Sequence, residues 1–191
     1  MLDPRITAIL DFWCMPRAHP KYGESREIWF KCGPAFDAEI RQRFGEEIRQ
    51  AQTRRLDHWI DTPKGALALV LLLDQFTRNT GRGTAAAFAG DRHARQVARM
   101  ALARGYDRRF PCQLAKFFYL PFEHSESLGD QHRSIGLFAR HSPEIVLTWA
   151  VDHRDTVARF GRFPHRNAAL GRTDTPAEAA YLAGDHQRYG Q

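Results

Sequence analysis

The most apolar stretch of the chain is Ala66-Leu67-Ala68-Leu69-Val70-Leu71-Leu72-Leu73-Asp74-Gln75-Phe76-Thr77-Arg78-Asn79, and it decides the fold. A helix that is apolar on every side is buried in the centre of a protein. We therefore expect a central helix that begins after the Thr62-Pro63 cap and runs to about Asn79. The apolar run is much shorter than the roughly 20 residues that a membrane-spanning helix requires, so no membrane span is predicted.

Further helices surround this one in the sequence. Asp3-Pro4 has the pattern of a helix N-terminus, and Thr175-Pro176-Ala177-Glu178 has that of a capping box. Apolar residues recur every four positions after Pro34, which predicts a long helix there. Other helices are expected at 84–89, 91–103, 112–119, 127–140 and 143–160. Alternating β-branched runs and hairpin turns are missing, so the fold class is all-α.

The spacing of the helices indicates how they are organised. Segments of roughly 10–18 residues with short turns are typical of antiparallel helix pairs, as in bundles and solenoids. No linker-like stretch divides the 191 residues, and no repeat of solenoid length is visible. We therefore predict a single all-helical domain that spans residues 1–191.

Composition narrows the function classes. The formal net charge is +6, which raises the question of a nucleic-acid partner. However, only Lys21, Lys31, Lys64 and Lys116 are lysines, and the basic residues are spread over all helices, so nucleic-acid binding is not favoured. Cys14, Cys32 and Cys112 are far apart and odd in number, which is typical of a reducing compartment. With no visible signal peptide, we expect a cytoplasmic protein.

Asp74 is the first candidate site residue, because it follows directly on the apolar run. A buried carboxylate costs several kcal/mol unless it is paired and hydrogen-bonded. Arg78 lies four residues later on the same helix face and is the nearest partner in sequence, and Arg82 is a second. The pair is either a structural clamp or part of a ligand site.

A second set of polar residues lies at a helix break, in Pro121-Phe122-Glu123-His124-Ser125-Glu126. His124 and Glu126 are candidate acid–base groups, because loops on a rigid scaffold often carry function. The alternative is capping of the next helix by Ser125 and Glu126, with His124 bonded to a neighbouring carbonyl. His153 is predicted to point inward from its helix, either as a core histidine or as a further acid–base candidate.

The third set is Phe160-Gly161-Arg162-Phe163-Pro164-His165-Arg166-Asn167. Gly161 is expected to end the preceding helix, and Pro164 keeps Phe163 out of the next one, so that Phe163 anchors inward. The remaining polar side chains offer many donors and few acceptors and suit carboxylates, whether of the protein or of a ligand. These candidate ligand-binding residues are Arg162, His165, Arg166 and Asn167, together with Asp74, Arg78 and Arg82.

Cofactor and metal motifs are not found. The chain has no P-loop and no dinucleotide-binding fingerprint, and its His and Cys residues lack a known metal-ligand spacing. We therefore expect no cofactor and no metal, although His124, His153 and His165 could hold a metal ion if the fold brought them together.

Three blocks of the chain carry motifs that resemble those of one bacterial family. The blocks are Leu73-Asp74-Gln75-Phe76-Thr77-Arg78-Asn79 with Arg82-Gly83-Thr84 and Ala87-Phe88-Ala89, Pro121 to Glu126 with Gln131, and His153-Arg154-Asp155 with Phe160 to Asn167 and Leu170-Gly171-Arg172. The family is the uncharacterised domain of unknown function 924, and the resemblance spans Phe12-Trp13 to Tyr181-Leu182. It implies an all-helical fold similar to tetratricopeptide-repeat proteins, and it implies no activity, cofactor or catalytic residue. Thr77 stands where the family often has Pro.

Two functions follow from these patterns. The first is a pocket for a small anionic ligand, with Arg and His side chains binding the anion. The second is a helical scaffold that binds a peptide or protein partner, with the polar motifs forming a structural ion-pair network. A solvent-open cleft lined by the motifs favours the pocket, whereas their burial and mutual pairing favour the scaffold. The sequence does not say whether the protein is an enzyme.

Overall fold

A computed structural model describes residues 2–29, 33–141 and 144–184, with the backbone alone for residues 141 and 144–146. The α-helices are α1 Pro4–Cys14, α2 Pro34–Gln52, α3 Pro63–Val70, α4 Thr77–Thr80, α5 Asp91–Ala103, α6 Cys112–Ala115, α7 Leu120–Glu123, α8 Leu128–His141, α9 Glu144–Phe160 and α10 Pro176–Ala183. No strand occurs in these ranges, and the all-α prediction is confirmed. Cys32 and Pro143 lie outside the described residues.

The predicted central helix is present, but it is not a regular α-helix throughout. Between α3 and α4 the backbone forms a π-helix at Leu71–Phe76. The backbone N–H and the hydroxyl of Thr77 both donate to the Leu72 carbonyl, the hydroxyl at 2.8 Å. The apolar side chains from Ala66 to Leu73 are fully buried. A π-turn changes the direction of the side chains that it carries, and such turns often occur at functional sites.

The predicted helix starts are confirmed by their hydrogen bonds. The carboxylate of Asp3 accepts from the Arg5 N–H at the start of α1, and the hydroxyl of Thr62 accepts from the Gly65 N–H at the start of α3. At α10, Thr175 and Glu178 form both bonds of the capping box. Side chains of this kind satisfy backbone donors that the first helical turn leaves without partners.

Two predicted helices differ from the structure. The Ala-rich segment is a 3-10 helix at Ala85–Phe88, shorter than expected. The helix expected at 112–119 is divided into α6 and a 3-10 turn at Lys116–Phe118, and α7 then continues through Pro121 instead of stopping there. Proline is tolerated in the first turn of a helix because its missing N–H has no intrahelical partner, and Pro121 occupies such a position.

Aromatic side chains hold the outer helices against the centre. Trp13 of α1 packs on Phe76, with ring centroids 5.3 Å apart, and on Phe117, at 6.0 Å. Further along the chain α8 packs along α9, and α3 packs against α1 and α5. Within the described residues no helix is long and apolar enough to cross a membrane. Similarity to tetratricopeptide repeats stays a prediction.

Gly90 permits the closest approach between two backbone segments near Asp74. A Cβ atom at this position would lie 2.0 Å from the carbonyl oxygen of Leu73. The chain can therefore pass the π-helix only because residue 90 has no side chain. This contact places Asp91, the first residue of α5, beside the polar side chains of the central helix.

We expect the substitution Gly90→Ala to lower the free energy of unfolding by about 1–3 kcal/mol, because the backbone must move to relieve the overlap. Urea denaturation of both proteins measures this change. Gly45→Ala is the control, since a Cβ atom at Gly45 in α2 meets nothing within 4 Å. That variant should gain about 0.5–1 kcal/mol from the better helix propensity of Ala. Equal stabilities for the two variants would contradict the role of Gly90.

Candidate functional site

Seven charged or titratable side chains from five segments meet beside the π-helix. We call them the central polar cluster: Asp74, Arg78, Asp91, Glu123, His124, His153 and Arg166. The central helix supplies the first two, and the others come from the start of α5, the end of α7, α9 and the 3-10 turn Pro164–Arg166. Three separate sequence motifs thus converge, as their polar character predicted.

Asp74 is 1% exposed and contacts an imidazole, a guanidinium and an amide. Its Oδ1 lies 2.7 Å from Nδ1 of His124, compared with 3.4 Å from Nη2 of Arg78, and its Oδ2 accepts from Gln75. Burial raises the pKa of Asp74, but the imidazole of His124 and the guanidinium of Arg78 outweigh burial and hold this pKa well below its usual range. Asp74 is therefore a carboxylate at neutral pH.

The hydrogen on His124 follows from these distances. The Nδ1 atom lies 2.7 Å from the Asp74 carboxylate and 3.3 Å from Nε of Arg78. A charge-assisted hydrogen bond at the shorter distance is the stronger one, so Nδ1 carries the hydrogen and donates it to Asp74. The basic lone pair is then on Nε2, and the His124 side chain is 16% exposed. A carboxylate that fixes the imidazole tautomer in this way orients a general base.

His124 is neutral in the free protein. Burial and the positive charge of Arg78 lower its pKa, against the opposing effect of Asp74. The alternative that His124 bonds a neighbouring carbonyl is therefore wrong, because its Nδ1 donates to the carboxylate of Asp74 on the central helix. Ser125 donates to Asp130 and accepts from the Ser127 N–H.

Asp91 joins the two arginines of the cluster. Its Oδ1 accepts from Nη2 of Arg78 at 2.9 Å, and its Oδ2 lies 3.5 Å from Nη1 of Arg166. The ring of Phe88 lies beneath both guanidinium groups, at 5.5 Å from that of Arg78 and 4.8 Å from that of Arg166. One carboxylate and one aromatic ring therefore hold two positive charges close together.

Arg166 has few hydrogen bonds for a buried cation. It is 6% exposed, and its guanidinium lies between the rings of Phe88 and Phe163, the latter at 4.4 Å. Its hydrogen bond to Asp91 is long at 3.5 Å, and its buried Nε has no hydrogen-bond partner. Burial and the nearby charge of Arg78 lower its pKa to about 9, so the side chain is still charged at neutral pH. A buried donor without a partner in a native protein calls for an explanation.

Arg162 shows which group binds the Nε/Nη2 edge of a guanidinium elsewhere in the chain. Its Nε and Nη2 donate to the two carboxylate oxygens of Glu178 at 2.6 and 2.7 Å. In Arg166 the bond to Asp91 uses Nη1, so the Nε/Nη2 edge makes no such pair. This edge matches a carboxylate in size and direction.

Glu123 and His153 form the inner side of the cluster. Glu123 is 5% exposed, its Oε1 lies 3.6 Å from Nδ1 of His153, and its buried Oε2 has no hydrogen-bond partner. Burial and the charge of Asp74 raise the pKa of Glu123 to about 8. Burial also lowers the pKa of His153 to about 3, and its Nδ1 lies 2.8 Å from the Trp149 carbonyl. Both groups are uncharged at neutral pH.

Two cavities of the structure lie away from this cluster. One, of about 160 Å³, is lined by Asp107, Arg108, Phe110, Cys112, Ala115 and Tyr119. The other, of about 40 Å³, lies beside α1. Neither is lined by a residue of the central polar cluster. In the described part of the chain, no three His, Cys, Asp or Glu side chains are arranged to hold a metal ion.

Comparison with known proteins gives the family. The family model described as "Bacterial protein of unknown function (DUF924)" matches residues 9–185. The chain belongs to this family. A search of the curated proteins found no match.

A solved structure has the same fold. It is that of a protein of unknown function from Agrobacterium tumefaciens, 42% identical in sequence, with a TM-score of 0.84. The alignment covers 94% of this chain and 97% of the other. The family and the all-helical fold expected from the sequence motifs are therefore confirmed.

Some predicted site residues lie outside the central polar cluster. Arg82 pairs with Asp37, which also accepts from Asn79, and so joins the central helix to α2. Arg162 and Asn167 bind Glu178 and Asp174 near the start of α10. These three residues hold other parts of the fold together, because the carboxylate that each one binds belongs to a segment that contributes no residue to the cluster.

Glu126 and His165 lie at the border of the cluster. Glu126 accepts from the Phe163 N–H at 3.0 Å. Its two carboxylate oxygens also accept from Nη1 and Nη2 of Arg172, both at 2.9 Å. The expected capping role of Glu126 is therefore wrong: it holds the Phe163 turn instead. The ring of His165 packs on Phe163, with centroids 5.5 Å apart.

Sequence reasoning missed Asp91, which is a member of the cluster, and Phe88, whose ring packs against its two guanidinium groups. An Asp in the first turn of a helix is explained by the helix dipole alone, so Asp91 gave no sign of a tertiary role. The one available signal was Gly90, whose missing side chain marks a close backbone approach. Glu123 was recognised as a carboxylate near the site but not as one of its residues.

The raised pKa of Glu123 predicts a stability difference that grows with pH. In the native state Glu123 keeps its proton to about pH 8, whereas the unfolded chain loses it near the ordinary value of 4.5. Between these values the native state binds more protons, so its stability falls by up to about 1.4 kcal/mol per pH unit. Glu123→Gln removes this loss, and its stability relative to the parent should rise between about pH 5 and pH 8 in urea denaturation.

Glu126→Gln is the matched control, because Glu126 lies three residues from Glu123 and its pKa is shifted in the opposite direction. Burial raises its pKa, but the hydrogen bonds from Arg172 and the Phe163 backbone outweigh burial and lower it. Its contribution to stability is present at neutral pH and is lost as pH falls through the carboxyl range. The variant should be less stable than the parent at pH 7 and approach it in acid. Parallel pH profiles for the two variants would contradict both assignments.

Proposed function

We propose that the protein binds a small carboxylate-bearing ligand at the central polar cluster, with the Nε/Nη2 edge of Arg166 as its main contact. The observation that carries the proposal is the buried guanidinium of Arg166, which has one long hydrogen bond and an Nε atom without a partner. The chain itself supports the choice of ligand class, since Glu178 occupies the same edge of Arg162.

His124 supplies an acid–base group in the same cluster, where Arg78 connects it to Asp91 and Asp91 to Arg166. Asp74 fixes its tautomer, and its side chain is partly exposed. The two phenyl rings that cover the faces of Arg166 leave only its edges for hydrogen bonding. A ligand therefore approaches in the plane of the guanidinium. Because the Nε atom is buried, entry requires a side chain at the border of the cluster to move.

The alternative function is a helical interaction scaffold in which the cluster is a structural ion-pair network. Its support is the burial of the cluster, the mutual pairing of Asp74, Arg78 and Asp91, and the position of the two cavities elsewhere. We favour the ligand site because a purely structural network tends to use every buried donor, and Arg166 does not fit that pattern.

The test is binding of acetate, succinate and inorganic phosphate to the parent protein, with chloride at matched ionic strength as the reference. We expect the two carboxylates to raise the melting temperature and to shift the NMR signal of Nε of Arg166. Arg166→Lys keeps the positive charge but removes the planar edge, so it should weaken carboxylate binding at least about tenfold.

Arg162→Lys is the matched control, because it changes an arginine of the same motif whose edge is occupied by Glu178. It should leave the affinity for acetate unchanged. Equal affinities in the parent and Arg166→Lys, or no response of the Arg166 Nε signal to any of the three anions, would overturn the proposal and favour the scaffold. The NMR signal is read on the parent, so the test holds even where a variant folds poorly.

A further inference from the structure

We infer that a carboxylate bound at Arg166 brings a proton with it, and that Nε2 of His124 is the atom that takes this proton. The inference rests on the proposed function and adds to it a coupling between ligand affinity and pH. The site then binds a carboxylate and a proton together: the guanidinium binds the carboxylate, and the imidazole binds the proton.

The charges of the cluster give the reason. In the free protein Asp74 and Asp91 are negative and Arg78 and Arg166 are positive, while the three remaining members carry no charge. The formal sum is zero. A carboxylate would add one negative charge to a largely buried space, and an uncompensated buried charge is costly. A proton taken up nearby restores the balance.

Among the groups that face this space, His124 is the best acceptor of the proton. Asp74 and Arg78 on the central helix, Asp91 on α5 and Arg166 on its 3-10 turn are already paired with an oppositely charged side chain. Glu123 on α7 already holds its proton, and His153 on α9 is 5% exposed, with its Nδ1 against the Trp149 carbonyl and Glu123. His124 is the more exposed imidazole and has a carboxylate at 2.7 Å.

The geometry also identifies the atom. The Nδ1 atom of His124 carries a hydrogen that it donates to Asp74, and the hydrogen-bond contacts of this side chain within the described residues both involve Nδ1. An incoming proton therefore goes to Nε2. The resulting imidazolium has Asp74 on one side, and its positive charge offsets the negative charge that the carboxylate adds to the cluster.

Two measurable consequences follow from linkage. The ligand raises the pKa of His124, and the dissociation constant of the ligand rises with pH, by up to tenfold per pH unit, between the pKa of free His124 and the higher pKa of His124 in the complex. Neither effect is expected below about pH 8 for a ligand held by arginine alone, because Arg166, with a pKa of about 9, is still mostly charged there.

The experiment is an NMR titration of the His124 imidazole in the parent protein from pH 5 to 8.5, without and with saturating acetate at constant ionic strength. We expect acetate to move the titration of His124 upward by one pH unit or more. Acetate dissociation constants at pH 6, 7 and 8 should rise with pH in the parent and stay flat in His124→Gln, which keeps a donor to Asp74 but cannot titrate.

Each other outcome is decisive. Acetate binding with an unchanged His124 titration and a flat pH profile overturns the coupling and leaves the proposed function standing. A pH-dependent affinity that persists in His124→Gln assigns the proton to another group and overturns the role of His124. Absence of acetate binding at any pH overturns this inference, and the Arg166 Nε signal with succinate and phosphate then decides the proposed function separately.

Discussion

The buried carboxylate of Asp74 is the constraint on which the arrangement of the polar side chains depends. It lies at the end of the most apolar segment of the chain and is 1% exposed, where an unpaired charge would cost several kcal/mol. His124, Arg78 and Gln75 each meet it with a donor. Arg78 in turn requires Asp91, and Asp91 holds Arg166. The pairing thus spreads outward from one carboxylate to three further elements: the end of α7, the start of α5 and the 3-10 turn Pro164–Arg166.

Backbone features make this pairing possible. The π-helix at Leu71–Phe76 changes the direction in which Asp74 leaves the central helix, and Gly90 lets the start of α5 come close to Leu73. Both features occur within a few residues of the same carboxylate. Departures from regular geometry and missing side chains lower the stability of a helix or loop unless the tertiary contacts compensate for them, and here the contacts belong to the central polar cluster.

The chain uses two arginines of one motif in different ways. The guanidinium of Arg162 is fully engaged by Glu178 near the surface and ties α9 to α10. The guanidinium of Arg166 is buried between two phenyl rings and has a single long bond to Asp91. A structural network explains the first arginine completely. The second has a capacity for hydrogen bonding that the protein itself does not use, and this difference is what separates a candidate binding site from a salt-bridge network.

The sequence by itself determined the fold class, most helix starts and the polar nature of the site. Apolar periodicity, caps and proline positions act over a few residues, so α1, α2, α5 and the α10 capping box could be predicted locally. The burial of Asp74 also followed from the apolar run that precedes it. The π-turn could not be predicted, because tertiary packing overrides local preference there.

The pairing between particular acidic and basic side chains became visible in the folded chain alone. Asp91 has the appearance of an ordinary helix-start residue in the sequence, and Arg82, Arg162 and Asn167 had the same composition signal as Arg166. A partner forty or more residues away leaves no local pattern, since ion pairs require proximity in space and not a fixed spacing along the chain. The distances in the folded chain therefore separated Arg166 and His124 from their neighbours in sequence.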